Sequence, residues 1–213
     1  MTLAASVRGR SGLVLFVALA LAGAFAAGAQ RGGSTIATEK VFEAIGLREG
    51  ITVCEIGSGN GDLTLMAARV VGSAGRVYTS ELGEERVTAL QDRVAESGLS
   101  QITVVAGDPV KTNFPAAACD ALFMRNVYHH FDDPAAMNAS IAASLAAGAR
   151  LAIVDFAPSS GDEATRPADR DQGSAHGVSA ESVSRELAAA GFEPVSSELG
   201  AQRWFMVVVS KPK

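Results

Sequence analysis

Residues 51–62 read ITVCEIGSGNGD, and this stretch decides the fold of the chain. A short apolar run at 51–56 is followed by three glycines at alternate positions, Gly57, Gly59 and Gly61, and a helical pattern begins immediately after them. Glycines at a strand-to-helix turn let the backbone bend tightly and approach a ligand, which the free N–H groups at the helix start would face. The stretch therefore predicts a ligand-binding turn, with a plain tight turn as the alternative.

The spacing of the glycines separates two kinds of nucleotide loop. A dinucleotide-binding loop follows the pattern G-x-G-x-x-G, which would place its third glycine at position 62. This chain has Asp62 there. A nicotinamide-dependent oxidoreductase is therefore a disfavoured interpretation.

Around this loop, short β-type runs alternate with helical patterns, as expected of βαβ units around a parallel sheet. The predicted strands cover residues 51–56, 76–80, 102–106, 120–125 and 150–156, and the predicted helices cover 34–47, 62–71, 84–97, 134–145 and 180–190. Two further apolar runs, 194–199 and 204–210, predict a hairpin that adds an antiparallel edge to the sheet. Before the last predicted helix, the polar residues 158–177 form a stretch that is too long to be a simple connector. The charged run at 162–171 within them is interpreted as a solvated loop, with a lid as the alternative.

The N-terminal residues differ from the rest of the chain. Arg8 and Arg10 precede an apolar run at 13–27, and small residues follow it, which is the order of a secretory signal with a cut after Ala29. A retained membrane anchor is the alternative, because about fifteen to seventeen apolar residues are marginal for a bilayer of roughly 30 Å. We expect residues 1–29 to be a signal peptide or anchor and 30–213 to form one domain. The protein would then be exported (periplasmic or secreted) or membrane-anchored, rather than cytoplasmic.

Charge and cysteine content restrict the possible partners. The net charge of the 213-residue chain is −5, and it becomes −7 if the segment that carries the two early arginines is removed. A nucleic-acid partner is therefore not expected. Cys54 and Cys119 fit no metal spacing, and we expect no metal site. Because we expect Cys54 inside the first strand and Cys119 just before the fourth, out of register, we predict two buried thiols that do not bridge.

Polar residues follow several predicted strands, at the edge where open α/β sheets bind ligands. Glu81 ends the second strand, twenty residues after Gly61, where a carboxylate can accept hydrogen bonds from both hydroxyls of a ribose. Asp108 ends the third strand and could accept a hydrogen bond from an exocyclic amine. The alternatives are a solvated turn residue for Glu81 and a turn cap for Asp108.

The order of elements and five motifs together resemble the class I S-adenosylmethionine (SAM)-dependent methyltransferases, particularly the small-molecule subgroup similar to quinone-biosynthesis C-methyltransferases. The motifs are EIGSGNG at 55–61, SEL at 80–82, AGDP at 106–109, RNVYHHFDDP at 125–134 and HGVSAESVSRELAAAGFEPV at 176–195. The resemblance implies a Rossmann-like three-layer sandwich. Its seven-stranded sheet would be mostly parallel, in the order 3-2-1-4-5, with an antiparallel last strand beside strand five.

The same resemblance implies SAM as the cofactor, held by eleven residues: Glu55, Gly57, Ser58, Gly59, Gly61, Glu81, Leu82, Asp108, Pro109, Asn126 and Val127. Glu55 and the glycine loop would hold the methionine part, Glu81 the ribose and Asp108 the adenine amine, with Asn126 and Val127 near the sulfonium. One position departs from the family: the residue after the adenine-binding acid usually donates its backbone N–H to the ring, and Pro109 has none.

Tyr128, His129 and His130 are the candidate catalytic residues, because they follow the fourth strand at the same edge. A histidine there could remove a proton from the methyl acceptor, since its pKa lies near neutrality. Packing beneath the sheet edge is the alternative for each. His176 could face the same crevice or begin the last helix. The resulting hypothesis is methyl transfer to a small-molecule acceptor, and the alternative is a SAM-fold protein that binds without catalysis.

Overall fold

The computed structural model describes Met1 and residues 36–213, so the predicted signal or anchor segment lies outside the described residues. The helices are α1 (Thr38–Ala44), α2 (Asp62–Val71), α3 (Glu84–Ser97), α4 (Pro134–Ser144) and α5 (Ala180–Ala189). The strands are β1 (Thr52–Ile56), β2 (Arg76–Glu81), β3 (Ile102–Ala106), β4 (Cys119–Arg125), β5 (Leu145–Phe156), β6 (Glu193–Leu199) and β7 (Trp204–Ser210). No helix in this described part of the chain is long and apolar enough to cross a bilayer.

The seven strands form one sheet in the order β3-β2-β1-β4-β5-β7-β6. The first five strands pair in parallel, and β7 runs antiparallel to both β5 and β6. The predicted order 3-2-1-4-5 and the closing antiparallel strand are therefore confirmed. This order places the carboxyl ends of β1, β2 and β4 side by side at one edge of the sheet.

Helices cover both faces of the sheet, because successive strand residues point to opposite sides. In β4, Leu122 and Met124 join the core under α4 and α5, whereas Ala121 and Phe123 join the core under α1 and α2. All four side chains are buried. Strands that are apolar on both faces need two covering layers, and the three-layer sandwich is the result.

Two elements differ from the sequence prediction by more than one residue at a boundary. The first helix covers only Thr38–Ala44, within the predicted 34–47. Strand β5 begins at Leu145, five residues before the predicted start, and Gly148 at φ 75° lies inside it. Cys119 pairs with Leu145 and Ala121 pairs with Arg150, so residues 146–149 of β5 interrupt the regular ladder between the two strands.

The prediction that the two cysteines do not bridge is wrong. Cys54 and Cys119 form a disulfide with Cα atoms 5.7 Å apart, and both side chains are fully buried. The prediction assumed regular strands, but the β1–β4 ladder begins at Ala121, and the ladder between β4 and β5 shifts register between Cys119 and Ala121. Cys119 therefore lies outside the regular pairing with β1, and the spacing of regular strands does not predict its distance from Cys54.

Candidate cofactor and acceptor site

The glycine loop is folded back onto the end of β2 by hydrogen bonds. The N–H groups of Gly57 and Ser58 donate to the Ser80 carbonyl at 2.9 and 3.1 Å, and the Gly59 N–H donates to Glu81 Oε2 at 2.7 Å. Gly57, Gly59 and Gly61 have φ of 70°, 54° and 81°, a region that other residues rarely adopt. A Cβ on Gly57 would lie 2.4 Å from Val127 Cγ2, whereas one on Gly59 would meet nothing within 4 Å. Gly57 thus permits contact with the segment after β4, and Gly59 faces open space.

Glu81 lies at the carboxyl end of β2 with 7% of its surface exposed. Its Oε2 accepts the Gly59 N–H, and its Oε1 accepts the Leu82 N–H at 2.9 Å. A carboxylate oxygen has two acceptor positions, so each oxygen retains one for another donor. The carboxylate is therefore fixed by the backbone and still able to accept two hydroxyl groups.

Glu55 lies beneath the glycine loop, not on its open side. The side chain is buried and its Oε2 accepts hydrogen bonds from the hydroxyls of Thr64 and Thr79. Burial raises the pKa of Glu55 to about 7, although the two threonine hydroxyls oppose this shift by stabilising the carboxylate. Its predicted contact with the methionine part stays a prediction.

Asp108 and Pro109 follow β3 at the same edge. Asp108 Oδ1 accepts the Val110 N–H at 2.9 Å, so one oxygen of the predicted adenine ligand caps its own turn. Pro109 and Leu82 are exposed on the neighbouring surface. The structure therefore brings these three residues to the predicted edge.

Asn126 turns the chain out of β4 in a left-handed conformation, with φ of 60°. Its N–H donates to the Val154 carbonyl at 2.8 Å, which holds this turn against β5. Asparagine tolerates such a φ better than most residues. The turn places the next residue, Val127, against Gly57 across the strand ends.

His129 is buried, with 1% of its surface exposed, and is held by the carboxylate of Asp155 at the end of β5. Its Nδ1 lies 2.8 Å from Asp155 Oδ1, and its backbone N–H donates to Asp155 Oδ2 at 3.2 Å. The Phe156 N–H donates to Asp155 Oδ1 at 2.9 Å. The buried carboxylate thus accepts from two backbone groups and one imidazole, which fixes the orientation of that ring.

The three histidines of the chain form one cluster. His176 Nε2 lies 3.1 Å from His129 Nε2, and the exposed His130 stacks on His129 with ring centroids 3.9 Å apart. Partial burial, together with the neighbouring His129, lowers the pKa of His130. Sequence analysis left the role of His176 open, and the long intervals in the chain gave no signal that His176 and Asp155 meet His129.

Tyr128 does not point toward the strand ends. Its buried hydroxyl donates to Glu186 on α5 at 3.0 Å and accepts from Asn138 on α4 at 2.8 Å. Burial, followed by the charge of Glu186, raises the pKa of Tyr128. These contacts give Tyr128 a structural role between helices, and none of them supports the predicted catalytic role.

Residues 157–178 form a strap that covers this side of the sheet edge. Arg170 is buried within it, donates to Glu186 Oε1 at 2.5 Å and forms an ion pair with Glu163, with 3.1 Å between Nη2 and Oε1. Glu163 accepts hydrogen bonds from the hydroxyls of Ser179 and Ser182 at the start of α5. The strap is therefore fixed to α5 through Arg170 and Glu163, while most of residues 159–176 are exposed, as expected of a solvated loop.

The donor set fits SAM at the ends of β1 and β2. A fixed carboxylate with two free acceptor positions suits a ribose diol, and the open side of Gly59 leaves room for a ligand beside it. In the described part of the chain, no cluster of three or more His, Cys, Asp or Glu side chains could hold a metal ion. Topology and site together define a nucleotide-binding α/β domain of the open-sheet class.

Comparisons with known proteins agree with this class. A family model described as a methyltransferase domain matches residues 53–149. A protein-L-isoaspartate O-methyltransferase of Ignicoccus hospitalis is 37% identical over 84 residues, which cover 39% of this chain and 40% of that protein. A ubiquinone/menaquinone biosynthesis C-methyltransferase of Saccharophagus degradans is 29% identical over 116 residues, which cover 54% of this chain and 47% of that protein.

The crystal structure of a SAM-dependent methyltransferase from Aquifex aeolicus superposes with a TM-score of 0.69 at 26% identity, covering 81% of this chain and 88% of that chain. The chain spans less than half the length of the two curated relatives that it matches. The predicted resemblance to class I SAM-dependent methyltransferases is confirmed by the methyltransferase family model over residues 53–149 and by the fold shared with a solved SAM-dependent methyltransferase.

Proposed function

We propose that this protein transfers a methyl group from SAM to a small-molecule acceptor bound between the segment after β4 and the strap. The observation that carries the proposal is the carboxylate of Glu81, which is fixed by the N–H groups of Gly59 and Leu82 and keeps free acceptor positions on both oxygens. A surface turn residue would not be held at 7% exposure beside a glycine loop.

The chain's own residues would bind and align the reactants. Glu81 would accept the ribose hydroxyls, the loop from Gly57 to Gly61 would approach the methionine part, and Asp108 would use its second oxygen for the adenine amine. SAM, when bound, supplies a methyl group on a positively charged sulfonium. Since methyl transfer is an in-line displacement, the protein accelerates it chiefly by holding the acceptor in line, and Val127 is placed to pack beside the reacting atoms.

Two measurements test this function. Calorimetric titration with SAM and with S-adenosylhomocysteine should show binding to the purified domain. Incubation with methyl-labelled SAM and a whole-cell extract of lipids and metabolites should then transfer label to a small molecule. Binding of both nucleotides without any transfer would favour the non-catalytic alternative, and the absence of binding would reject both.

We also propose that the protein works outside the cytoplasm, as an exported or membrane-anchored enzyme. The support is the disulfide between the buried Cys54 and Cys119, because disulfides form and persist mainly in oxidising compartments. The basic and apolar order of residues 8–27 agrees with this. N-terminal sequencing of the protein from fractionated cells tests it: cleavage after Ala29 indicates a signal peptide, an intact membrane-bound N-terminus indicates an anchor, and a soluble cytoplasmic chain rejects the proposal.

A further inference from the structure

The histidine cluster contains one chain of hydrogen bonds that fixes the tautomers of two rings. Asp155 accepts two backbone N–H bonds, so it acts as a carboxylate acceptor toward His129. His129 must therefore carry its proton on Nδ1, 2.8 Å from Asp155 Oδ1, and its Nε2 is an acceptor when the ring is neutral. The hydrogen bond at Nε2 then requires a donor.

That donor is His176, whose Nε2 lies 3.1 Å from His129 Nε2. If His176 Nε2 carries the proton, the Nδ1 of a neutral His176 holds the free lone pair. Within residues 36–213 no hydrogen bond to this Nδ1 is found, and His176 is exposed, whereas His129 is 1% exposed with both nitrogens occupied. Within this hydrogen-bonded pair, the basic nitrogen that can meet another molecule therefore belongs to His176. His130 is also exposed, but it lies outside this chain of hydrogen bonds, and partial burial together with the neighbouring His129 lowers its pKa.

We propose that His176 is the general base that takes the proton of the methyl acceptor, and that His129 and Asp155 are positioning residues behind it. This inference rests on the proposed methyl transfer, and it implies an acceptor that reacts through a hydroxyl group, as an alcohol, phenol or enol does. Sequence analysis gave Tyr128, His129 and His130 as the candidates for catalysis, and the structure encloses His129.

The step balances as a proton transfer coupled to a displacement. The acceptor O–H bond breaks and its proton binds His176 Nδ1, while the oxygen forms a bond to the methyl carbon. The carbon–sulfur bond breaks, and its electron pair stays on sulfur as S-adenosylhomocysteine. His176 can pass its Nε2 proton to His129, where the buried carboxylate of Asp155 stabilises the charge; the proton taken from the acceptor returns to water after release.

The surroundings of His176 limit which other groups could set its pH response. The uncharged Phe156 ring packs edge-on against it at 5.1 Å, and the guanidinium of Arg203 stacks over that ring at 5.6 Å. His130 lies 6.2 Å from His176 between ring centroids, and the charge of Asp171 acts on His130. Arg203, His130, Asp171 and Asp155 are therefore the ionisable groups around His176, and a variant at position 176 must leave these four unchanged.

The first experiment measures labelled methyl transfer from SAM to the whole-cell extract as a function of pH. His176→Gln keeps a donor toward His129 but cannot take a proton, so its turnover should fall by roughly a hundredfold or more, and its rate should lose the decline on the acid side of neutrality. Its affinity for S-adenosylhomocysteine should stay within about twofold of the parent, and imidazole should partly restore the rate of His176→Ala. Ser174→Ala, two residues away on the same strap, is the matched control and should behave as the parent.

The second experiment reads the tautomers of the three imidazoles by ¹H–¹⁵N correlation NMR of the ligand-free protein. His129 should carry its proton on Nδ1 and His176 on Nε2. Asp155→Asn, which can donate to His129 Nδ1, should reverse both tautomers and lower turnover without changing affinity for S-adenosylhomocysteine.

Three outcomes decide the inference. A protonated Nδ1 on neutral His176 overturns it, and so does a His176→Gln variant with the parent's rate and pH profile. A parent that binds no S-adenosylhomocysteine removes the proposed function itself and this role with it. Each of the first two results, obtained with a parent that binds and transfers, removes the role of His176 alone.

Discussion

The donor half and the acceptor half of the sheet edge are built in different ways. The donor half, at the ends of β1 and β2, joins a glycine loop to the carboxylate of Glu81 through the N–H of Gly59, 22 residues earlier in the chain. The acceptor half joins His129, Asp155 and His176 through side chains from the segment after β4, the end of β5 and the strap.

Because of this difference, we expect the donor half to tolerate substitutions better than the acceptor half. Backbone donors do not depend on the identity of the residue that supplies them, so the donor half needs only glycines and one acid. The acceptor half needs two specific rings and one carboxylate at once, and the buried Arg170 keeps the strap in place. The halves are joined by the pairing of β1 with β4, by the disulfide between Cys54 and Cys119, and by the packing of Gly57 against Val127.

Removal of the disulfide should have the largest effect on the molecule. A bridge across 65 residues limits the unfolded chain, so Cys54→Ala/Cys119→Ala should lower the free energy of unfolding by about 4 kcal/mol. Urea unfolding of the double variant and of the parent, with and without reductant, measures this. With reductant, the unfolding free energy of the parent should approach that of the double variant. If reductant leaves this free energy unchanged and the mass of the parent is that of two free thiols, Cys54 and Cys119 are not bonded.

Glu55, in the donor half, should make the unfolding free energy of the domain depend on pH. In the unfolded chain Glu55 ionises near its ordinary pKa of 4.5, whereas burial in the folded domain raises this pKa to about 7. Between these values the folded domain holds the extra proton, so its stability falls as pH rises from about 4.5 to about 7 and then stays level. The total loss should be about 3 kcal/mol.

The matched variant is Glu55→Gln, which keeps the shape and can still accept from Thr64 and Thr79. The difference in unfolding free energy between variant and parent should grow across this pH window, measured by urea titration at several pH values. Parallel curves for variant and parent would show that folding does not raise the pKa of Glu55.

A pair of substitutions should separate the two halves by function. Glu81→Ala removes acceptors for two charge-assisted hydrogen bonds, so SAM binding should weaken by about tenfold to a thousandfold. His129→Ala should leave this affinity near that of the parent and lower turnover by roughly a hundredfold or more. Calorimetry and labelled transfer on both folded variants measure this; a Glu81→Ala variant that binds SAM like the parent would refute the ribose assignment.

The smallest effect should come from the contact between the halves. Gly57→Ala incurs the cost of a left-handed alanine, about 1–2 kcal/mol, and a clash with Val127. Gly59→Ala is the matched control, because its φ is similarly positive but its Cβ would meet open space. A double-mutant cycle with Val127→Ala should give a coupling of about 1 kcal/mol with Gly57→Ala and none with Gly59→Ala.

The sequence determined the elements whose signals are local. Apolar periodicity predicted the order of strands and helices, and the glycine loop with Glu81 marked the donor half, because those residues lie one βαβ unit apart. The hairpin of β6 and β7 was also predicted, since only a few residues separate its strands.

Only the tertiary structure decided the features that depend on contacts between distant residues. The disulfide joins Cys119, at the irregular start of the β4–β5 ladder, to Cys54, against the prediction from regular register. The strap carries His176 to His129, 47 residues earlier in the chain, and His129, one of three residues that sequence analysis proposed for catalysis, is buried. Residue type and spacing specify what a side chain can do, but burial and hydrogen-bond partners, which arise from packing, decide which of its atoms can meet a substrate.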